Sequence, residues 1–284
     1  MKKIISMMFL ICAAVIFTTG ACPVVCKGTK NIEITNNKGL YIIRIPKERN
    51  SCIKPYVTKL LTFNKDVYKQ TGAELVVNAG YFDPNNHGTS SYVVIDGKTV
   101  LDPTTNASLM NNKALKPHID TILNRTEFRV LNCKGETRYD IAAHNARAPF
   151  RCEIVHSVQA GPMIYPDLKL SREYFVSKDE NGKVTRDSIT ALKKCARTAI
   201  GIKDGDIYII IANIYHKLTL PELYKVCEDL CLEKAMNFDG GGSTSLNYKG
   251  TDNPDYKDFE IISDKHASAR KLKSFLCLLY TSDA

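Results

Sequence analysis

Apolar positions along the chain follow strand periods in some segments and helical periods in others. Continuous apolar runs rich in β-branched residues, such as "LVV" at 75–77 and "IYIII" at 207–211, are typical of buried strands. Helical spacing is found in two segments. One runs from about Pro55 to Gln70, and the other begins at Leu220, where Thr219 and Glu222 have the spacing of a capping box. We therefore predict many strands and two main helices.

Turn signals divide the apolar runs into hairpins. Residues 36–39 (NNKG) separate "IEI" from "LYIIRI", and Asp96-Gly97 suits the positive φ angles of a two-residue turn. The segment from 128 to 157 alternates as strands do. Strands and helices are mixed without strict βαβ alternation, which favours an α+β (mixed α/β) fold with a mixed β-sheet core and flanking helices.

The N-terminal residues have the pattern of a secretory signal. Lys2 and Lys3 precede an apolar run from Ile4 to Phe17, which is shorter than the roughly 20 residues of a membrane span. We predict a signal peptide at 1–21 and a secreted, periplasmic or extracellular protein. Thr19 to Cys22 also resembles a lipobox, so a lipid tether through Cys22 and ordinary cleavage both stay open.

The C-terminal residues 277–284, "CLLYTSDA", resemble the translated read-through of a transposase sequencing adaptor. We predict that this tail is not native. No linker-like or low-complexity tract interrupts the rest, so residues 22–276 are predicted to form one domain.

Net charge and cysteine content indicate which binding partners and which cysteine bonds to expect. The net charge is +9, spread along the chain without a basic stripe, so we expect no nucleic-acid partner. Outside the predicted leader, Cys22 and the tail there are seven cysteines, for which one or two disulfides and a free thiol are expected. Cys227 and Cys231 share a helix face, but no further ligand pair joins them, which favours thiols or disulfides over zinc.

The segment "NFDGGGSTSL" at 237–246 is the strongest chemical signal. Glycines at a strand end let backbone N–H groups approach an anion closely. The three glycines alone are equally typical of a tight turn. Asp239, Ser243 and Thr244 add a carboxylate and two hydroxyls, which favours a binding site.

Three further segments carry groups suited to the same chemistry. "NAGYFDP" at 78–84 ends a buried strand in Asn78 and Gly80, and "QAGPMIY" at 159–165 contains a rigid turn at Gly161. Arg197 in "KKCARTAIG" suits forked contact with phosphate, although a surface salt bridge is its ordinary role. Tyr81 and Phe82 are as readily explained as core residues.

Together the four segments resemble the phosphodiester glycosidase family, in order and in spacing. The resemblance covers about residues 75–246 and implies cleavage of a sugar–phosphate diester at the anomeric C–O bond, giving a free sugar and a phosphomonoester. It implies catalytic roles for Asp239, Asn78 and Arg197, and substrate or phosphate binding by Gly80, Gly161, Gly240, Gly241, Gly242, Ser243 and Thr244.

The roles follow from the chemistry that the resemblance implies. We expect Arg197 and the backbone from Gly240 to Ser243 to hold the phosphate, Asp239 to act as base, nucleophile or charge stabiliser, and Asn78 to orient substrate oxygens. Asp83, Asp206 and Glu222 are open choices for a second carboxylate. No cofactor is required, and a structural calcium is allowed by the resemblance, but no metal ligands are assigned.

The sequence departs from the family pattern at two places, and two other functions are compatible with it. Residues 213–215 read Asn-Ile-Tyr where relatives often have Asp-Gly-Arg, and Ala196 replaces a frequent proline. The same residues would also suit a non-catalytic binder of phosphorylated glycans. A metal phosphodiesterase that cleaves the P–O bond is less favoured, because the six histidines are scattered singly. The oligomeric state is left open.

Overall fold

The computed structural model describes residues 31–49, 53–250, 258–263 and 269–279. The predicted leader, Cys22, Cys26, Cys52 and residues 280–284 lie outside these ranges. The strands are β1 (Glu33–Asn37), β2 (Leu40–Ile45), β3 (Ile53–Thr62), β4 (Leu75–Asn78), β5 (Val93–Ile95), β6 (Lys98–Leu101), β7 (Thr126–Cys133), β8 (Glu136–Ala143), β9 (Glu153–Gln159), β10 (Met163–Tyr165), β11 (Val176–Lys178), β12 (Val184–Asp187), β13 (Arg197–Lys203), β14 (Asp206–Ala212), β15 (Lys234–Asn237), β16 (Ser245–Lys249), β17 (Asp258–Ile262) and β18 (Leu272–Leu278).

Helices are few and short. The α-helices are α1 (Asn64–Thr71), α2 (Ala107–Met110), α3 (Ile119–Leu123) and α4 (Leu220–Asp229), and short 3₁₀ turns lie at Pro103–Thr105, Lys116–His118 and Gly241–Ser243. No helix in the described ranges is long and apolar enough to cross a membrane.

Three sheets form the body of the fold. Sheet 1 has the order β1-β2-β14-β13-β15-β10, sheet 2 the order β17-β16-β4-β18-β3, and sheet 3 the order β6-β5-β9-β7-β8. A separate pair joins β11 to β12. Every strand pair within the described residues is antiparallel.

The main hydrophobic core lies where the inner faces of the three sheets meet. It includes Ile209 of sheet 1, Val77 of sheet 2 and Phe128 of sheet 3, all fully buried. Because side chains alternate along a strand, Ile210 lies on the opposite face of sheet 1, where it packs in a second cluster with Leu223 of α4. In a third cluster, α1 covers sheet 2.

The structure is more β-rich than the predicted α+β fold. Of the described residues, 44% lie in strands and 15% in helices, although α1 and α4 do flank sheets as expected. The predicted helix from Pro55 to Gln70 is wrong over most of its length, because Ile53–Thr62 is a strand and only Asn64–Thr71 is helical. β3 finds hydrogen-bond partners along β18, and its position at the edge of sheet 2 tolerates Pro55.

The local signals that involve defined turn or cap chemistry are confirmed. The hairpin at residues 36–39 joins β1 to β2, and Asp96 and Gly97 have φ angles of 50° and 72° in the turn between β5 and β6. Thr219 and Glu222 form the predicted capping box of α4, with hydrogen bonds in both directions.

The cysteines fall into bonded and free groups. Cys133 and Cys152 form a disulfide, Cys231 is also disulfide-bonded, and Cys195, Cys227 and Cys277 are free. Burial raises the pKa of the Cys227 thiol to about 12. Cys277 pairs with Val76 within sheet 2, and the non-native origin of residues 277–284 stays a prediction.

The packing of β14 gives a direct stability test. Ile209→Ala removes a side chain that is 1% exposed on a central strand, so we expect a loss of about 2–5 kcal/mol in the free energy of unfolding. Leu60→Ala, at a position that is 77% exposed, should change it by about 0.5 kcal/mol or less. Urea denaturation measures both, and equal losses would contradict the core assignment.

Candidate active site

The polar segments converge at one edge of sheet 1. β15 is antiparallel to both β13 and β10, so the end of β15 lies beside the starts of those two strands. The backbone N–H of Asn237 donates to Pro162, and that of Phe238 donates to Thr198. The glycine-rich segment, Gly161 and Arg197 are therefore brought together by strand pairing, as their shared family pattern suggested.

Asn78 connects this edge to sheet 2. Its Nδ2 donates to the carbonyl oxygen of Asp239 at 2.5 Å, while its Oδ1 accepts from Thr198 Oγ1 at 2.8 Å and from the backbone N–H of Ser245 at 3.0 Å. The side chain is 1% exposed. Asn78 therefore joins β4, β13 and the start of β16 through one amide group, and this amide fixes the backbone at Asp239.

Asp239 presents a shielded carboxylate just beyond β15. Its backbone N–H donates to the carbonyl oxygen of Ala79 at 2.8 Å. Burial raises the pKa of Asp239 to about 6, against the opposing effects of a hydrogen bond from the Ser243 side chain, the charge of Arg270 and the N–H of Gly240. Such a pKa is suited to proton transfer or charge stabilisation near neutral pH.

The glycine loop packs closely against the start of β13. A Cβ at Gly240 would lie 3.0 Å from the carbonyl oxygen of Ala196, and Gly241 has a φ of +59°. Several of the loop's N–H groups are already used: Gly241 donates to Ala196, Ser243 to Gly240, and Thr244 to Gly241. The N–H of Gly240 lowers the pKa of the adjacent Asp239 carboxylate. The N–H of Gly242 donates to no described residue.

Two hydroxyls and one amide oxygen of the site differ in their hydrogen bonding. Ser243 and Thr244 are both buried. The Ser243 side chain lowers the pKa of Asp239, whereas Thr244 Oγ1 and Asn237 Oδ1 are buried without a partner among the described residues. Buried polar atoms without partners are uncommon in proteins and are frequent at binding sites.

Arg270 was missed by the sequence analysis. Its Nη1 lies 3.4 Å from Ser243 Oγ, and its guanidinium lies against Gly242. It also lowers the pKa of Asp239 through its charge. The residues around it, "SARKLKS", contain no motif, so only the approach of β18 to the glycine loop identifies it.

The hydrogen bonds of Arg197 direct its guanidinium to backbone carbonyl oxygens. Its Nε donates to Leu218 at 2.9 Å and its Nη1 to Ile189 at 3.2 Å, while its Nη2 donates to Thr190 and Lys193 at 2.7 and 2.9 Å; all four acceptors are backbone carbonyl oxygens. Four of its five N–H groups are thus used. Burial also lowers the pKa of Arg197. Its predicted contact with phosphate stays a prediction.

Tyr81 links the remaining residues of the site. Its hydroxyl donates to the carbonyl oxygen of Gly161 at 2.8 Å and accepts from Asn237 Nδ2 at 2.9 Å. Burial raises its pKa, with a further rise from the charge of Asp239. The sequence analysis left Tyr81 as an ordinary core residue, whereas the structure places its hydroxyl between two of the predicted segments.

Gly80 and Gly161 occupy positions that exclude side chains. A Cβ at Gly80 would lie 2.9 Å from Ser91 Cβ, and one at Gly161 would collide with the carboxylate of Glu173. Gly161 also has a φ of +83°, which favours glycine. These glycines allow close packing around Tyr81, and their contact with substrate stays a prediction.

The open choices for a second carboxylate are engaged elsewhere. Asp206 binds Arg44 Nε at 2.7 Å, and Glu222 caps α4. Asp83 accepts from the N–H of Asn85 within its own turn. Asp239 is thus the carboxylate that the described structure places against the glycine loop.

A match to a family model identifies the family of this chain. The model described as phosphodiester glycosidase matches residues 71–278, most of the chain. The chain belongs to the phosphodiester glycosidase family. It is a hydrolase of that family. A comparison with curated proteins finds no match.

Solved structures show the same fold at low identity. The catalytic domain of zebrafish N-acetylglucosamine-1-phosphodiester alpha-N-acetylglucosaminidase, auto-inhibited by its pro-peptide, matches with a TM-score of 0.61 and 14% identity over 88% of this chain and 83% of that chain. A putative exported protein from Burkholderia pseudomallei gives 0.57 and 13% over 85% and 74%. A hypothetical protein from Synechocystis gives 0.56 and 13% over 88% and 62%.

Metal binding is not assigned by the geometry. Within the described ranges, no group of three or more His, Cys, Asp or Glu residues could hold a metal ion. The structural calcium that the family resemblance allows, and the expectation that no cofactor is needed, both stay predictions.

The hydrogen bonds of Arg197 separate a scaffold role from phosphate binding. Arg197→Lys cannot reach four carbonyl oxygens, so we expect it to lower the free energy of unfolding by about 2–4 kcal/mol. Arg138→Lys, in an exposed ion pair with Glu136, is the matched control and should change it by about 0.5 kcal/mol or less. Unchanged stability in Arg197→Lys, together with weaker phosphate binding, would support the phosphate role instead.

Proposed function

We propose that this hydrolase cleaves a sugar-1-phosphodiester at the anomeric C–O bond and releases a free sugar and a phosphomonoester. The observation that carries the proposal is the half-buried carboxylate of Asp239, whose pKa is raised, beside a glycine loop and the cation Arg270. Such a site offers negative charge to the sugar and positive charge to the departing phosphate. These are the two demands of an oxocarbenium-like transition state.

Asp239 supplies the negative charge. With a pKa of about 6, it is mostly ionised at neutral pH. In a shielded site, its charge stabilises the developing positive charge of the sugar more strongly than it would in water. The same carboxylate serves as the base that activates water or as the nucleophile.

The phosphate is held by Arg270 and the N–H of Gly242. The guanidinium lies against Gly242, whose N–H has no other partner in the described structure. Charge-assisted hydrogen bonds of this kind are about twice as strong as neutral ones. In this proposal, the departing phosphate lies on the side of the glycine loop that faces β18.

Asn78 and Arg197 act as positioning residues in this proposal. Asn78 fixes the backbone of Asp239 through a 2.5 Å hydrogen bond, and Arg197 fixes the loop at 189–193 and Leu218. Neither needs to touch the substrate. Their predicted catalytic importance would then arise from the placement of Asp239 and the loops around it.

The protein is proposed to act outside the cytoplasm on phosphodiester-linked sugars of envelope or capsular polymers. The leader-like residues 1–21 and the Cys133–Cys152 disulfide support an oxidising location. A lipid tether through Cys22 is part of the same proposal.

Oxygen-18 labelling tests the bond that is cleaved. The protein is incubated in oxygen-18 water with a panel of sugar-1-phosphate alkyl diesters, and both products are analysed by mass spectrometry. We expect the label in the sugar and an unlabelled phosphomonoester. Label in the phosphomonoester would indicate P–O cleavage, and binding without turnover of any diester would indicate a glycan-binding protein.

The pKa of Asp239 predicts the pH dependence of hydrolysis. Because the ionised form is active, kcat/KM should rise with pH through about 6 and level off above it. Asp239→Asn should lower kcat by about 10²–10⁴-fold at pH 7. Asp120→Asn, at an exposed carboxylate, is the control and should leave kcat unchanged. A kcat/KM that falls through pH 6 would make Asp239 a general acid instead.

A further inference from the structure

Besides Arg270, two arginines form a pair of cations near Tyr81. Arg125, just before β7, and Arg186, in β12, both donate to the carbonyl oxygen of Tyr174, from Nη2 at 3.3 Å and from Nε at 3.1 Å. Arg125 Nε also donates to the carbonyl oxygen of Glu173 at 3.0 Å. One backbone segment thus holds two guanidinium groups next to each other.

Aromatic rings hold both guanidinium groups in place. Arg125 lies over the ring of Phe175, 3.7 Å from its centroid, and Arg186 lies 4.7 Å from the centroid of Tyr174. His118 stacks on the same Tyr174 ring at 3.7 Å. Rings on which arginines stack fix the direction of the remaining N–H groups, so little order is left to impose when an anion binds.

Neither of these two positive charges is paired in a salt bridge with a described residue. The nearby Glu173 carboxylate instead accepts from Thr126 N–H and Oγ1 and from the N–H of Met163. The Nη1 group of Arg125 and both Nη groups of Arg186 donate to no described residue.

Burial adds to the electrostatic cost of the pair. Arg125 is 8% exposed. The pKa of Arg125 is lowered to about 10, chiefly by burial and also by the charge of Arg186, against the opposing effects of Tyr81 and Glu173. A buried cation beside a like charge is costly unless a counter-ion compensates it. A bound anion would supply that compensation and use the free N–H groups.

Tyr81 connects the pair to Asp239. Its ring packs against Phe175 at 5.9 Å between centroids, and its hydroxyl interacts electrostatically with both Asp239 and Arg125. Asn237, two residues before Asp239, donates to the same hydroxyl. Arg125 is therefore linked to the residues around Asp239 through Phe175 and Tyr81.

We propose that Arg125 and Arg186 form an anion-binding subsite that takes a phosphate group of the substrate, on the Tyr81 side of the site. The inference rests on the proposed function for its substrate. It adds a second cationic position to that of Arg270 and predicts a preference for substrates whose phosphate, scissile or neighbouring, reaches both guanidinium groups. Forked N–H geometry on two arginines suits a tetrahedral oxyanion.

Binding of inorganic phosphate tests the subsite without turnover. Calorimetric titrations with inorganic phosphate at low ionic strength compare two double variants. Both carry Arg270→Gln, which weakens the other cationic position; one adds Arg186→Gln and the other adds Arg172→Gln. Arg186 is half-buried and Arg172 is an exposed arginine paired with Asp167. We expect Arg186→Gln to weaken phosphate binding about tenfold or more, and the Arg172→Gln control to change it less than about twofold. Equal affinities in the two double variants would overturn the proposal.

Kinetics identify which phosphate is bound. KM is measured for a diester with a neutral aglycone and for one whose aglycone carries a second phosphate, with Arg186→Gln in the otherwise unchanged chain. A raised KM for both identifies the scissile phosphate, and a raised KM for the second alone identifies a neighbouring one. Unchanged KM for both would contradict the subsite even if hydrolysis proceeds. Phosphate binding that depends on Arg186 would support the subsite even if no diester is hydrolysed.

Discussion

The hydrogen bonds of one buried amide, that of Asn78, support the rest of the site. The amide lies at the end of β4 in sheet 2, yet it bonds to Thr198 in sheet 1, to Ser245 beyond the glycine loop and to the backbone of Asp239. Asn78, Thr198 and Ser245 are buried, so losing one of the bonds among them would leave an unpaired buried polar group. The backbone bond from Asp239 to Ala79 reinforces the same junction. The relative placement of two sheets and of the key carboxylate thus depends on a single side chain.

The charges of the site follow from this junction. Asp239 is held where burial raises its pKa to about 6, and the fold compensates with Ser243, Arg270 and Gly240 rather than with an ion pair that would neutralise it fully. Near Tyr81, Arg125 and Arg186 carry positive charge and form no salt bridge with a described residue. A carboxylate between cationic positions is the arrangement that separation of a sugar cation from a phosphate anion requires.

Local signals predicted the elements whose conformation is set within a few residues. The Asp96-Gly97 turn and the capping box at Thr219 were predicted because their φ angles and hydrogen bonds are determined by neighbouring residues. The prediction of a helix from Pro55 was wrong over most of its length. The apolar spacing of this segment fits both a helical and a strand period, and hydrogen-bond pairing with β18, more than 200 positions later in the chain, makes it a strand. The fold is more β-rich than predicted for the same reason: long-range pairing overrides weak local preference.

The sequence by itself determined the family and the residues that gather at the site, because four ordered motifs, from Asn78 to Ser243, are specific in combination. It did not determine what each residue does there. Arg197 has the chemistry to bind phosphate, but the tertiary structure directs four of its N–H groups to backbone carbonyls. Arg270 lies in a segment without a motif and reaches the glycine loop only through the packing of distant segments. Residue type fixes which contacts a side chain can make, whereas its direction and its neighbours, which depend on distant strands, decide which contacts it does make.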